Sequence, residues 1–134
     1  MKNKKLIIGI AIVAVILIAI IVAIVSAILA KNNRLYHIVI TEKNWTAIDQ
    51  YTVDVKELDV KKKDVADLSI NWNDKITFEV TDVEEDRITI ETSAELKTNG
   101  AEEAQTKFTI IKGTTTKLNT LSTDVGASFQ IDLK

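Results

Sequence analysis

Twenty-five consecutive residues, Leu6 to Ala30, carry no charge and no proline, and only Gly9 and Ser26 among them are not alanine, valine, isoleucine or leucine. At ~1.5 Å rise per residue a helix of this length crosses a hydrocarbon layer of roughly 30 Å, so the run reads as a transmembrane helix over residues 6–30. In water its ten isoleucines and four valines would favour a strand. A bilayer reverses that preference, because without water an isolated run must close its backbone hydrogen bonds within itself. The seventeen Ile, Leu and Val residues of the run contribute on the order of −5 to −10 kcal/mol of apparent insertion free energy.

A cleaved signal peptide is the competing reading, since Lys2, Lys4 and Lys5 form a basic start and Val25-Ser26-Ala27 a small-residue exit. Signal h-regions run to about 7–15 residues, which favours an uncleaved signal anchor here. The chain contains no cysteine, so a lipid-bearing cysteine after cleavage is excluded. Three lysines before the run against Lys31 and Arg34 after it give a small positive-inside bias. The expected topology is single-pass in the cell membrane: residues 1–5 a short cytoplasmic tail, 31–34 a juxtamembrane tether and 35–134 an extracytoplasmic domain. Ala19, Ala23 and Ala27 recur every fourth residue and line one helix face, a spacing that lets helices approach closely and makes the stripe a candidate interface for a homo-oligomer or a partner helix, although six alanines in a run of 25 residues often give such spacing by chance.

Of the chain's 17 basic and 19 acidic residues, three lysines precede the apolar run, which leaves 14 against 19 beyond it. That balance, with both signs interspersed, does not suit a phosphate backbone, and no nucleic-acid partner is expected. The run Lys61–Lys63 is flanked by Asp59, Asp64 and Asp67 and reads as a solvated loop or edge. One hundred residues from Leu35 onward suffice for one domain, whose apolar core must supply its stability without disulfides.

Beyond the apolar run the hydrophobic period is two. Tyr51, Val53 and Val55 alternate with Thr52, Asp54 and Lys56; Ile76, Phe78 and Val80 with Thr77, Glu79 and Thr81; Phe129, Ile131 and Leu133 with Gln130 and Asp132; Ile88 and Ile90 repeat the pattern. Further strands are expected over 35–41, 68–72, 106–112 and 115–121. Turn signals punctuate them at Asn73-Asp74, Asp82–Asp86, Asn99-Gly100, Gly113 and Gly126. A short amphipathic helix is expected over 60–68 and a turn over 101–104. Eight short strands predict a mainly β fold in which an antiparallel, immunoglobulin-like β-sandwich follows the N-terminal transmembrane helix, with Trp72 at a core position. Alternating charges through 53–60 mark an edge strand protected from further pairing.

Residues able to carry chemistry are few. His37 is the only histidine and cysteine is absent, so nucleophile–base systems have at most one base. No phosphate loop, metalloprotease motif or nucleophile elbow occurs. The cluster Asp82, Glu84, Glu85 and Asp86 offers oxygen ligands without the spacing of a calcium loop and reads as an acidic turn. No catalytic residue, metal or cofactor is expected. Trp45, within Glu42-Lys43-Asn44-Trp45-Thr46, is the aromatic in the most polar context and the candidate contact residue. Asn44-Trp45-Thr46 is also a glycosylation sequon, relevant only in a eukaryotic host.

The segments Thr106-Lys-Phe-Thr-Ile-Ile-Lys-Gly113 and Leu121-Ser-Thr-Asp-Val-Gly-Ala-Ser-Phe-Gln-Ile-Asp-Leu133 resemble the end of small, uncharacterised membrane-anchored or lipoprotein-type β domains of low-GC Gram-positive bacteria. The resemblance covers about the last 60 residues, lacks the lipid-bearing cysteine of the lipoprotein versions, and implies a bacterial cell-envelope protein with no active residues to transfer. The expected function is therefore a non-enzymatic binding or accessory role, the partner being an envelope protein or cell-wall component. A scaffold assembling through its helix is the alternative, and a hydrolase built on two carboxylates comes last.

Overall fold

The computed structural model describes residues 2–46, 48–68, 75–98, 101, 103–121 and 125–134. The chain divides into two compact units, Met1–Asn33 and Arg34–Lys134. The first is a single helix, α1 (Lys2–Asn33), continuous through the apolar run and three residues beyond it. Its residues Asn3–Asn33 are long and apolar enough to cross a membrane, a property shared by anchors and signal sequences.

The second unit is an antiparallel, mainly β domain whose described residues form eight strands: β1 (Tyr36–Thr46), β2 (Gln50–Val60), β3 (Val65–Asp67), β4 (Thr77–Val83), β5 (Arg87–Thr98), β6 (Gln105–Ile111), β7 (Thr115–Asn119) and β8 (Val125–Leu133). They form one strongly curled sheet in the order β2-β1-β8-β7-β5-β4-β3, with β6 paired to β5 beside that path. Strand β5 joins the two halves. Its first part pairs with β4 and β6, from Arg87 opposite Ile111 to Glu91 opposite Lys107, whereas Lys97 and Thr98 pair with β7. The register shifts between Glu91 and Leu96, and there buried Thr92 donates its hydroxyl to the Ala94 carbonyl at 2.7 Å, with the Thr106 carbonyl 3.3 Å away. A side-chain bond thus stands where the ladder is interrupted.

The alternation of the sequence becomes an inside and an outside. Ile38 and Ile40 of β1, Phe78 and Val80 of β4, Ile88 and Ile90 of β5, Phe108 and Ile110 of β6, Leu118 of β7, and Phe129, Ile131 and Leu133 of β8 share one core. Tyr36 belongs to it as well. Its ring is buried, its hydroxyl donates to the Glu84 carbonyl, and the Arg34 guanidinium sits 5.6 Å from its centroid. Strand β2 closes one end of the path, in keeping with its alternating charges, and Lys56 Nζ donates across to the Asp67 carbonyl of β3 at the other end.

Two local expectations are corrected. No helix forms over 60–68: β2 runs to Val60, the chain turns with Lys63 in the left-handed region at φ 76°, and β3 follows. Backbone bonds from Lys63 to Val80 and from Val80 to Asp64 extend the ladder with β4, which a helix would forfeit. Within β2, Tyr51 and Val55 do not share a face. The register shift between Glu42 and Lys43 carries Tyr51 opposite Asn44 and Val55 opposite Thr41, so Val55 points to solvent while Leu58 and Val60 face inward. Gly113, at φ 81°, makes the turn between β6 and β7. The expectations for Trp72, for residues 69–72 of the third strand, and for the Asn73-Asp74 and Asn99-Gly100 turns lie outside the described residues.

Candidate functional site

Antiparallel pairing sets Trp45, near the end of β1, opposite Gly126 on β8. The indole covers this glycine: a methyl group added there would come within 2.6 Å of Trp45 Cε2. An aromatic ring fills the space over a strand glycine, and the glycine in turn lets the ring lie close to the sheet. Trp45 is half-buried as a result, with part of its surface left to solvent on the outer face.

An open groove of about 540 Å³ extends from that ring across four neighbouring strands. Gln50 lines it from β2, Trp45 and Thr46 from β1, Ser128 from β8, and Lys117 and Asn119 from β7, with Ile48 and Asp49 at the tip of the β1–β2 hairpin. The tip is ordered by its own side chains. Thr46 Oγ1 accepts from the amides of Ile48 and Asp49 at 3.3 and 3.1 Å, Asp49 Oδ1 accepts from the Gln50 backbone amide at 2.8 Å, and the Thr46 amide donates to the Asp49 carbonyl at 2.8 Å. Ile48 is 96% exposed at the tip.

Beneath the groove, buried Ser128 donates its hydroxyl to Asn119 Oδ1 at 2.6 Å, and Thr120 Oγ1 accepts from the Ala127 amide at 3.1 Å. The floor is therefore held by hydrogen bonds from β8 to the end of β7 and the residue that follows it. Lys117 forms no ion pair, and the Gln50 side-chain amide no hydrogen bond, among the described residues. The groove thus combines a fixed aromatic surface with a cation, a carboxylate and an amide facing water.

The other sequence candidates are elsewhere. His37 lies on the same outer face, eight residues back along β1 and so ~26 Å from Trp45 at ~3.3 Å per residue. Its Nδ1 is 2.9 Å from Asp59 Oδ1 and its Nε2 3.9 Å from Glu57 Oε2, both on β2. At the β4–β5 turn, Arg87 grips Asp86 with two bonds of 3.0 and 3.2 Å, holding its carboxyl below the usual aspartate range. Among the described residues no three His, Cys, Asp or Glu side chains gather as a metal-holding group. Ala19, Ala23 and Ala27 lie in successive turns of α1 with their face exposed. The Asn44 carbonyl oxygen of the sequon is buried without a hydrogen-bond partner among the described residues.

The sequence singles out Trp45 but not Gln50, Lys117, Asn119 or Ser128. Gln50 stands opposite Trp45 on the same hairpin, whereas Lys117, Asn119 and Ser128 come from strands about 70 residues further on, and only strand order brings them in; Gly126, expected as a turn, lies inside β8, where its missing side chain makes room for the indole. Fold and groove together define a mainly β, antiparallel domain preceded by one apolar helix. No family model, no curated protein and no solved structure matches the chain.

Proposed function

We propose that the chain is a single-pass membrane protein of a bacterial cell envelope, whose β domain lies outside the cytoplasm and binds an envelope component without catalysing a reaction. The observation that carries this reading is the Trp45 groove: a rigid aromatic seated over Gly126 among open polar groups, the composition of a recognition surface. The apolar helix supports the anchoring half of the reading. Its lysine-flanked start supports the outward orientation of the domain. Support for binding rather than catalysis comes from the position of His37, the one histidine of the sequence, which stands eight residues along β1 from Trp45 and so brings no imidazole base to the groove. As a finer architectural proposal, the two halves of the curled sheet serve as the faces of an immunoglobulin-like sandwich. The inward alternation of both halves onto one core supports it.

The test is retention of the full chain, held in lipid nanodiscs, on insoluble wall material from the host cells. The wild-type chain sediments with the wall, and Trp45→Ala, with unchanged circular dichroism, stays in solution. Equal retention of both would remove the groove from the function.

A further inference from the structure

We propose that the Trp45 groove binds a pyranose chain, one sugar ring stacking on the indole and its hydroxyls meeting Gln50, Lys117 and Asp49. This rests on the reading of the groove as the binding surface and names its ligand class. A pyranose is amphipathic across its thickness: axial C–H bonds make one face apolar, while hydroxyls ring the edge as paired donors and acceptors. The groove is built in the same way. Its flat apolar element is the indole, fixed by packing on Gly126 and opposite it in register, with the aliphatic Ile48 projecting at the hairpin tip beside it. Fixing the ring beforehand removes the ordering cost that a mobile side chain would bring to binding.

The rim has the matching chemistry. Lys117 brings donors, Asp49 accepts, and the Gln50 side-chain amide does both. Asp49 is oriented by the bond it already receives from the Gln50 backbone amide at 2.8 Å, which leaves its second carboxylate oxygen for a hydroxyl pair. The side chains are carried by strands hydrogen-bonded in sequence, β2-β1-β8-β7, so their spacing is that of the sheet. At about 540 Å³ the groove is in the size range of small-ligand sites, and being open along the sheet it admits an internal segment of a chain. A buried peptide anchor would need an enclosed pocket with apolar walls, whereas Gln50, Lys117, Asn119 and Ser128 make these walls polar and Ile48 projects into water at the tip instead of forming a wall.

The experiment is titration of the full chain in lipid nanodiscs, free of sugar detergents, with soluble hexamers of β-1,4-linked glucose and of N-acetylglucosamine. The Trp45 indole N–H resonance, identified with Trp45→Phe, is the readout. Saturable shifts of that resonance with at least one hexamer are expected. Gln50→Ala and Lys117→Ala, both at the solvent face, should each weaken binding roughly three- to tenfold, the worth of one hydrogen bond. Saturable shifts with unchanged affinity in both variants would overturn the assignment of the rim. If neither hexamer moves the resonance while wall retention still depends on Trp45, the sugar assignment is wrong and the groove remains a binding surface. Loss of that retention on protease treatment of the wall would identify the partner as a protein and would likewise overturn the sugar assignment. Failure of both titration and wall retention would overturn the binding role itself.

Discussion

The indole of Trp45 lies across Gly126, its partner on the adjacent antiparallel strand, and with Thr120 Oγ1 occupies the volume that any side chain at Gly126 would need. Gly126→Ala should destabilise the domain by about 1–3 kcal/mol, the usual range for overpacking. Because the two positions share one volume, the same change in a Trp45→Ala background should cost less, by about 1 kcal/mol in a double-mutant cycle. Urea denaturation of the four proteins checks both; additive effects would show that the ring does not define the glycine's environment.

Two turn residues in the left-handed region make opposite predictions. Lys63, at φ 76°, carries a side chain where glycine is more comfortable, and Gly113, at φ 81°, does not. Lys63→Gly should therefore stabilise the fold by about 1 kcal/mol, and Gly113→Ala should destabilise it by a similar amount. Thermal melts of the two variants read the sign directly.

At the register shift of β5 one buried hydroxyl, that of Thr92, bonds the backbone. Thr92→Val keeps the shape but leaves the Ala94 carbonyl without its 2.7 Å bond, and should cost about 1–2 kcal/mol. The exposed Thr109→Val on β6 is the control and should stay within about 0.5 kcal/mol of the wild type. Denaturant midpoints of the pair separate a buried hydrogen bond from a general loss of threonine.

Strand periodicity is legible in the sequence because most strands have one face in the core and one in water, as in Phe78, Val80 and their exposed neighbour Glu79. Legibility fails where long-range pairing overrides local pattern. Val60, Val65 and Leu68 have helical spacing, yet ladder bonds to Val80 hold that stretch extended. Tyr51 and Val55 alternate in sequence, yet a one-residue bulge separates their faces. The groove is legible only as Trp45: Asp49 and Gln50 lie on the same hairpin but carry no signal of their own, and Lys117, Asn119 and Ser128 are brought in by strand order, which no local spacing encodes.

Asp86 should titrate below the ordinary aspartate value of 3.8, chiefly because Arg87 donates hydrogen bonds to it, with the Coulombic attraction of the same guanidinium adding to the effect. A carboxyl whose folded pKa is depressed stabilises the fold above its unfolded pKa, and that contribution disappears as pH falls through the folded value. Carbon-detected titration of the side-chain carboxyl should give a midpoint below the ordinary value, returning toward it in Arg87→Gln. An unshifted midpoint in the wild type would mean that the pair is broken in solution.

Every role given to the groove depends on the domain being held at the membrane and facing outward, so the most direct test is protease treatment of intact cells followed by detection of the C-terminal domain. The expected result is a full-length, membrane-bound band that disappears when protease is added outside. A band protected until the membrane is opened would place the domain in the cytoplasm, and a shortened soluble band would make residues 6–30 a cleaved signal sequence; either result contradicts a tethered, outward-facing binding domain.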